Sequence, residues 1–481
     1  MRITEHRIAQ LCRCVLVVAL ALPVYLGITH GLLDLEQNPV LRSALAGAFL
    51  IHMWTRPRPS HWAPAVAIAF ISSAAYAWLH HGFAEDLGAA PATCAAFLGL
   101  GSLLVLATQS VFAAALERRQ HRKTLLAAAA FPYFSFVIAL ALNLTSALHP
   151  RVYDLWLFAF DEALKVRASF LIGHLVANSN ALRVAGVLAY ESLPLVICWL
   201  LALELRSPER FAAGIVRVFV TAGLAGVFLY QFLPAVGPVY VFGAKFPDQL
   251  PAMPNIAIQP ILLPRVARNA MPSVHFACAL LVWWNTAAFA RVWRVLAAAF
   301  VASTLLATLG FGEHYLVDLV VAVPFALAVQ SACLKVGWYP AARSAFWGGA
   351  ILTAGWIGAL RLGVGQSSFA LSWCAVVVTL ILTLRWKLEL RRPSRLTAAL
   401  HGEDVAEIPD HQKGVPVVDP AHQIRTVQEH AQTGKADGDD LGNGHGKTRA
   451  EMQQRANERA GLRDAELEPD QGGQQIQNLQ V

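Results

Sequence analysis

Residues 279–329 read ALLVWWNTAAFARVWRVLAAAFVASTLLATLGFGEHYLVDLVVAVPFALAV, and this stretch decides the fold. Its apolar residues come in long blocks, not in the stripes that mark a half-buried helix or strand. Arg291, Arg294 and the group GFGEHY (310–315) divide it into three such blocks. A helix needs about 20 apolar residues to cross a bilayer core about 30 Å thick. Working outward, the chain holds twelve apolar runs, roughly 11–33, 41–54, 63–80, 92–116, 125–146, 183–204, 211–233, 272–290, 293–311, 315–336, 345–363 and 368–385. The sequence therefore predicts an all-α, polytopic integral membrane protein with about twelve transmembrane helices.

Composition agrees. Of 481 residues, 56% are hydrophobic and only 14% charged, with a mean hydropathy of +0.49, whereas soluble domains carry about 25% charged residues. The formal charge of +7 does not indicate nucleic-acid binding. From Lys387 onward there are 12 Lys/Arg against 16 Asp/Glu, so the membrane body holds 26 against 15. That excess sits in short connections, where it sets topology. The seven cysteines lie in or beside apolar runs without a CxxC pair, so neither a disulfide framework nor a zinc site is expected. Met1–Arg7 and the run behind it read as an uncleaved first span.

Basic residues orient the chain. With the N-terminus inside, the inner connections carry Arg56, Arg58, Arg118, Arg119, Arg122, Lys123, Arg206, Arg210, Arg291, Arg294, Lys335 and Arg343, while the outer loop 81–90 carries none. Both termini then face the cytoplasm. The 387–481 segment has no aromatic residue and reads as a disordered cytoplasmic tail.

Two segments carry chemistry: RNAMPSVHFACALLVWW (268–284) and GFGEHYLVDLVVAVP (310–324). Both start at the outer face in this topology, which brings His275 and His314 to similar depth. His314 and Asp318, at i and i+4, share a helix face. Asp318 is expected to accept the imidazole Nδ1–H and leave Nε2 free as nucleophile or base. Pro272 and Ser273 read as a helix start, with Ser273 as cap. The free N–H groups there suit an anion, and His275 stands one turn in, where it can protonate a leaving oxygen.

PSVH followed by HYLVD resembles the type 2 phosphatidic acid phosphatase superfamily, whose motifs are PSGH and SRxxxxxHxxxD. The nearer likeness is to its inositol phosphorylceramide synthase-like branch, where PSLH and HYxxD recur. FLPAVGPVYVFGAKFP (232–247) resembles that branch's conserved loop. The likeness covers about 125–336, a six-helix phosphatase-like core. It implies metal-independent phosphoryl transfer without a cofactor: His314 attacks phosphorus to form a phosphohistidine, Asp318 orients it, His275 protonates the leaving alcohol and Ser273 holds phosphate. The substrate is then a membrane lipid, met at the outer face of the membrane; the Ala- and Arg-rich spans suggest a bacterial inner membrane. A lipid acceptor makes an inositolphosphotransferase-like enzyme, and water makes a lipid phosphate or prenyl pyrophosphate phosphatase.

The chain departs from the phosphatase pattern in lacking the Lys-x6-Arg-Pro motif and in carrying Val274 and Thr308 where glycine and arginine are expected. Phosphoryl transfer needs cations at the equatorial oxygens, so Arg268, Lys245 and Arg265 are the expected phosphate-binding residues. The implied organisation is accessory helices over 1–124, a catalytic core over 125–340, two further helices over 341–386 and the tail.

Three features stand outside this scheme. Glu191 lies within the sixth span, with no basic partner expected at its depth, and reads as a protonated or wet carboxylate lining the bundle. YDLWLFAFDEAL (153–164) is too short and charged to span, and suits an interfacial segment that guides substrate or simply covers the site. Twelve spans also fit a transporter, yet neither an internal repeat nor the major-facilitator signature is visible, and a non-catalytic lipid binder is the remaining alternative.

Overall fold

The computed structural model describes residues 38–390 apart from 56, 58, 81, 83–88, 250–256, 264–265 and 365–367, with a few isolated positions before residue 38. The first apolar run (11–33), the acidic tail and Arg265 therefore lie outside the described residues. Fourteen α-helices are present among the described residues: α1 Pro39–Trp54, α2 Pro59–Leu79, α3 Ala89–Phe112, α4 Ala115–Leu148, α5 Asp154–Ala163, α6 Ala168–Ala177, α7 Asn180–Arg206, α8 Ile215–Tyr230, α9 Pro238–Phe242, α10 Val274–Asn285, α11 Arg291–Gly310, α12 Leu316–Ala332, α13 Pro340–Arg361 and α14 Phe369–Glu389. Each of the eleven other apolar runs is helical, as the all-α expectation requires.

Six helices are long and apolar enough to cross a membrane: Pro59–Leu79, Ala90–Phe112, Glu117–Leu148, Asn180–Arg206, Arg291–Gly310 and Phe369–Glu389. α1, α8, α10 and α12 are shorter, at 16, 16, 12 and 17 residues. At 1.5 Å per residue α10 measures about 18 Å, so helix length alone does not give twelve crossings. Its approach, residues 268–273, is irregular backbone buried in protein, the setting in which such backbone is tolerated at membrane depth. The supposed boundary at 124/125 falls inside the 34-residue α4, whose first turns carry the basic cluster Arg118–Lys123.

α1, α3 and α4 pack together, and α1 docks this group on α7. The approach is close because a Cβ on Gly99 of α3 would overlap the Leu45 carbonyl of α1, the small-residue contact on which lipid-embedded helices rely. Within this seam Arg42 lies 3.6 Å from Glu191. Glu191 thus has a basic partner after all. It comes from a residue 149 positions away on another helix, which spacing along one span cannot reveal.

The main core lies among α7, α8, α10, α11 and α12. A second cluster joins α5 to the start of α12 and to Trp356 and Leu360 of α13. A two-residue antiparallel pairing, Arg151↔Leu262 and Val152↔Ile261, ties the two long connections together.

Candidate active site

Ser273 begins the site as the N-cap of α10, its hydroxyl accepting the Phe276 N–H at 3.4 Å. Its own N–H donates to the Asp318 carbonyl at 3.3 Å, so the starts of α10 and α12 are joined. His275 falls in the first turn of α10. Its ring stacks on Tyr190 of α7, with centroids 4.0 Å apart and planes at 5°, which sets the plane of the imidazole. With the bond between His314 and the Ala270 carbonyl, the Ser273–Asp318 contact holds the segment carrying His275 against the turn carrying His314.

His314 occupies the turn between α11 and α12 and is 3% exposed. Its N–H donates to the Thr308 carbonyl at 3.2 Å, and its carbonyl accepts the Ser169 hydroxyl at 2.8 Å. Its Nδ1 lies 2.9 Å from the Ala270 carbonyl. A carbonyl only accepts, so Nδ1 carries the hydrogen and Nε2 keeps its lone pair. Burial holds this imidazole down to about pKa 4, against the opposing pull of Glu313 and the Ala270 hydrogen bond. The ring is therefore neutral at physiological pH.

The expected tautomer is present, but Asp318 is not the group that sets it. Its Oδ2 accepts the Tyr315 N–H at 2.8 Å and stands 3.5 Å from His314 Nδ1, beyond a good hydrogen bond. The reason is its position: as the third residue of α12 it folds back on the helix start, half of a capping box. Its Oδ1 has no hydrogen-bond partner and is buried.

The phosphate-binding expectations fare differently. Arg268 is fully buried, and its guanidinium donates to the carbonyls of His149 (2.9 Å), Val266 (2.7 Å), Leu263 (3.1 Å) and Pro150 (3.5 Å). It staples the two long connections together, and those bonds occupy the fork that a phosphate would need. Its spacing to His275, from which a phosphate contact is expected, does not foretell these partners. Lys245 is exposed on the short turn Gly243–Lys245, and Arg265 lies outside the described residues. Thr308, at the position where the motif has arginine, bonds its own helix through the Thr304 carbonyl at 2.9 Å. Ser273 keeps an O–H to donate, since its oxygen is the acceptor in the cap.

Several residues in this constellation escaped the sequence reading. Asp161 of α5 accepts the N–H groups of Leu316 (2.8 Å) and Val317 (3.1 Å) and so caps α12 from outside. Asp154 accepts those of Val236 (3.1 Å) and Gly237 (2.8 Å), and burial raises its carboxyl to about pKa 7 against those donors. α5 is thus a buried strut, with Leu157, Phe158 and Phe160 in the core beside both acids. Three acids, Asp154, Asp161 and Glu162, in an otherwise apolar decapeptide were the available signal. Glu313, next to the nucleophile candidate, accepts the Tyr240 hydroxyl at 3.0 Å, and burial raises its carboxyl.

The loop resembling the synthase branch holds this turn in place. Val239 N–H donates to the Gly312 carbonyl at 3.0 Å, and Gly237, at φ +106, lies where a Cβ would overlap the Glu313 carbonyl. Gly237→Ala combines that overlap with a φ that costs about 1–3 kcal/mol for an L-residue. It is expected to lower the thermal unfolding midpoint and turnover together, and an alanine variant of native stability and rate would show that the contact does not hold the His314 turn.

These features describe a helical protein with six helices long and apolar enough to cross a membrane and two histidines as its candidate site. Residues 155–332, from α5 to the end of α12, match the family model of the PAP2 superfamily. No curated protein and no solved structure matches the chain. The match includes both histidines and Asp318, supports the superfamily resemblance, and suggests lipid phosphatase or phosphotransferase activity.

Proposed function

We propose that this protein is a membrane lipid phosphoryl-transfer enzyme in which His314 is the nucleophile. The supporting observation is the Nδ1 hydrogen bond to Ala270, which leaves Nε2 neutral, on a turn held against the segment that carries His275. In the proposed reaction Nε2 attacks phosphorus, the P–O bond to the leaving group breaks, and His275 gives that oxygen its proton. The phosphohistidine is then opened by an acceptor hydroxyl, whose proton returns to His275. The Asp318 carboxylate stabilises the positive ring through space. Ser273 and the N–H groups at the start of α10 hold phosphate oxygens. His275, His314, Asp318 and Ser273 remain the proposed site residues, in a proposed core over 125–340 with the active site at the outer face of a membrane.

Charge favours transfer from a phosphodiester over hydrolysis of a phosphomonoester or pyrophosphate. Arg268 is committed to carbonyls, position 308 is threonine, and Glu313 adds a carboxylate beside His314. Such a surrounding suits one negative charge on phosphorus better than two or more. This is the inositolphosphotransferase-like reading, and phosphatase action on a lipid phosphate or prenyl pyrophosphate is its rival.

The test uses purified protein in nanodiscs with phosphodiester lipids, lipid monophosphates and prenyl pyrophosphates, with mass spectrometry following released phosphate and new lipid species. A new head-group lipid from a phosphodiester donor, formed equally in EDTA, is the expected result. Phosphate release alone would establish the phosphatase. Activity lost in EDTA would remove the metal-independent mechanism, and silence in both channels from folded protein would favour a lipid binder or transporter.

A further inference from the structure

α7 presents two faces to the helices around it, and both bear on the candidate site. Gly186 and Tyr190, four residues apart, share the first. The Tyr190 ring lies flat on the His275 imidazole, with 4.0 Å between centroids and 5° between planes. It also meets Phe311 edge to face, at 6.5 Å and 82°. Phe311 closes on Gly186 as well, where an added Cβ would sit 3.0 Å from its ring. Phe311 ends α11, three residues before His314. One aromatic side chain therefore touches both the imidazole of His275 and the turn that leads to His314.

The second face carries Glu191, Leu195 and Cys198, at i, i+4 and i+7, and α1 covers it. Glu191 lies 3.6 Å from Arg42, and the Leu195 N–H donates to the Ser43 hydroxyl oxygen at 3.2 Å. Gly47 lets α1 close on Cys198, whose side chain a Cβ would overlap. Successive residues of a helix are about 100° apart, so the covered face adjoins that of Tyr190. Support matters most at this turn. Pro194 lies within α7 and has no N–H, so the Tyr190 carbonyl lacks the donor it would have four residues on. A turn short of a helical bond is where a helix bends, and α1 grips it on either side of the proline. α1, Pro39–Trp54, is outside the segment 155–332 that matches the PAP2 superfamily.

We propose that Tyr190 is a positioning residue for His275, and that α1 holds the turn of α7 that carries it. This role rests on the mechanism proposed for His314 and His275. As His314 Nε2 bonds to phosphorus, the P–O bond breaks with its electron pair on the leaving oxygen, which takes the His275 proton. That transfer needs the imidazole N–H within hydrogen-bond reach of the oxygen. A ring held in plane by a parallel stack keeps this aim, and a ring free to turn about its side-chain bonds loses it. Tyr190 thus bears on the proton of the leaving group, and the attack on phosphorus belongs to His314.

The experiment uses the full chain in nanodiscs and single-turnover kinetics on two phosphodiesters. They share one lipid chain and differ in the other alcohol, an alkyl alcohol or p-nitrophenol, whose anion leaves without a proton. The ratio of the two rate constants is the readout. In Tyr190→Leu it should shift about 10²-fold against the alkyl diester, the cost of misplacing a reacting group by about 1 Å. Tyr190→Phe keeps the ring and should restore the ratio. Arg42→Gln with Ser43→Ala and Glu191→Gln should shift it the same way by about tenfold, through a smaller misplacement. This second variant carries the comparison if Tyr190→Leu fails to fold. Equal slowing of both diesters, in Tyr190→Leu or in the α1 variant, would overturn the proposal while His314→Ala stays inert on both. Release of p-nitrophenolate by His314→Ala, or no turnover of either diester by the unaltered protein, would instead remove the mechanism beneath it.

Discussion

His314→Ala is expected to abolish turnover, by at least about 10⁴-fold, and to remove any phosphoenzyme trapped by acid quench. The effect is large because the substitution deletes the atom proposed to form the covalent bond, so no partial reaction survives. The protein should still fold: the ring makes one side-chain hydrogen bond, to Ala270, while the backbone of residue 314 keeps its bonds to Thr308 and Ser169. Asp318→Asn gives the contrast. If the carboxylate set the tautomer, its loss would cost about 10⁴-fold. Since the Ala270 carbonyl does so, only the through-space term is lost, and a fall of about 10²-fold is expected, the scale of one electrostatic contact. Single-turnover kinetics on both variants decide the matter, and full activity in His314→Ala would end the mechanism.

The second large effect is on stability. Arg268→Ala strips donors from four backbone carbonyls, those of His149, Pro150, Leu263 and Val266. The Pro150 carbonyl keeps the Leu263 N–H, so three carbonyls, those of His149, Leu263 and Val266, lose their donor in part-buried places, at about 1 kcal/mol each, the low end of the cost of an unmade bond. The expected loss is therefore about 3 kcal/mol, enough to loosen the connections that lead into α5 and α10. Arg268→Lys should recover only part of it, because an ammonium cannot present the planar fork. Thermal unfolding with KM measured on the surviving protein separates the roles. A stable Arg268→Ala protein with a raised KM would return this residue to the phosphate.

These two residues show how unevenly the site was legible. His275 and His314 could be read because each sits in a short motif next to an apolar run, and parity of the spans put both at one end. Asp318 was found by its i+4 spacing, but spacing does not say which of two acceptors a ring nitrogen will choose. The Ala270 carbonyl is invisible in a sequence because every residue has one. Arg268 shows a related limit: seven residues from a histidine looks like proximity, whereas the side chain turns to the Leu263 and Val266 carbonyls of its own connection and to those of His149 and Pro150 far away in the chain. Glu191 and Arg42 failed the same way, as partners 149 residues apart meet only when α1 docks on α7.

By itself the sequence determined the all-helical, strongly apolar character and the position of eleven helices, and it singled out His275 and His314 as candidates, since these rest on apolar run length, capping chemistry and local motif. The tertiary structure alone decided how far each helix runs, which carbonyl holds His314, and that α5 is a buried strut capping α12 with Asp161. Those are contacts between segments far apart in the chain, set by packing and by the need of buried polar groups for partners, and no local pattern encodes them.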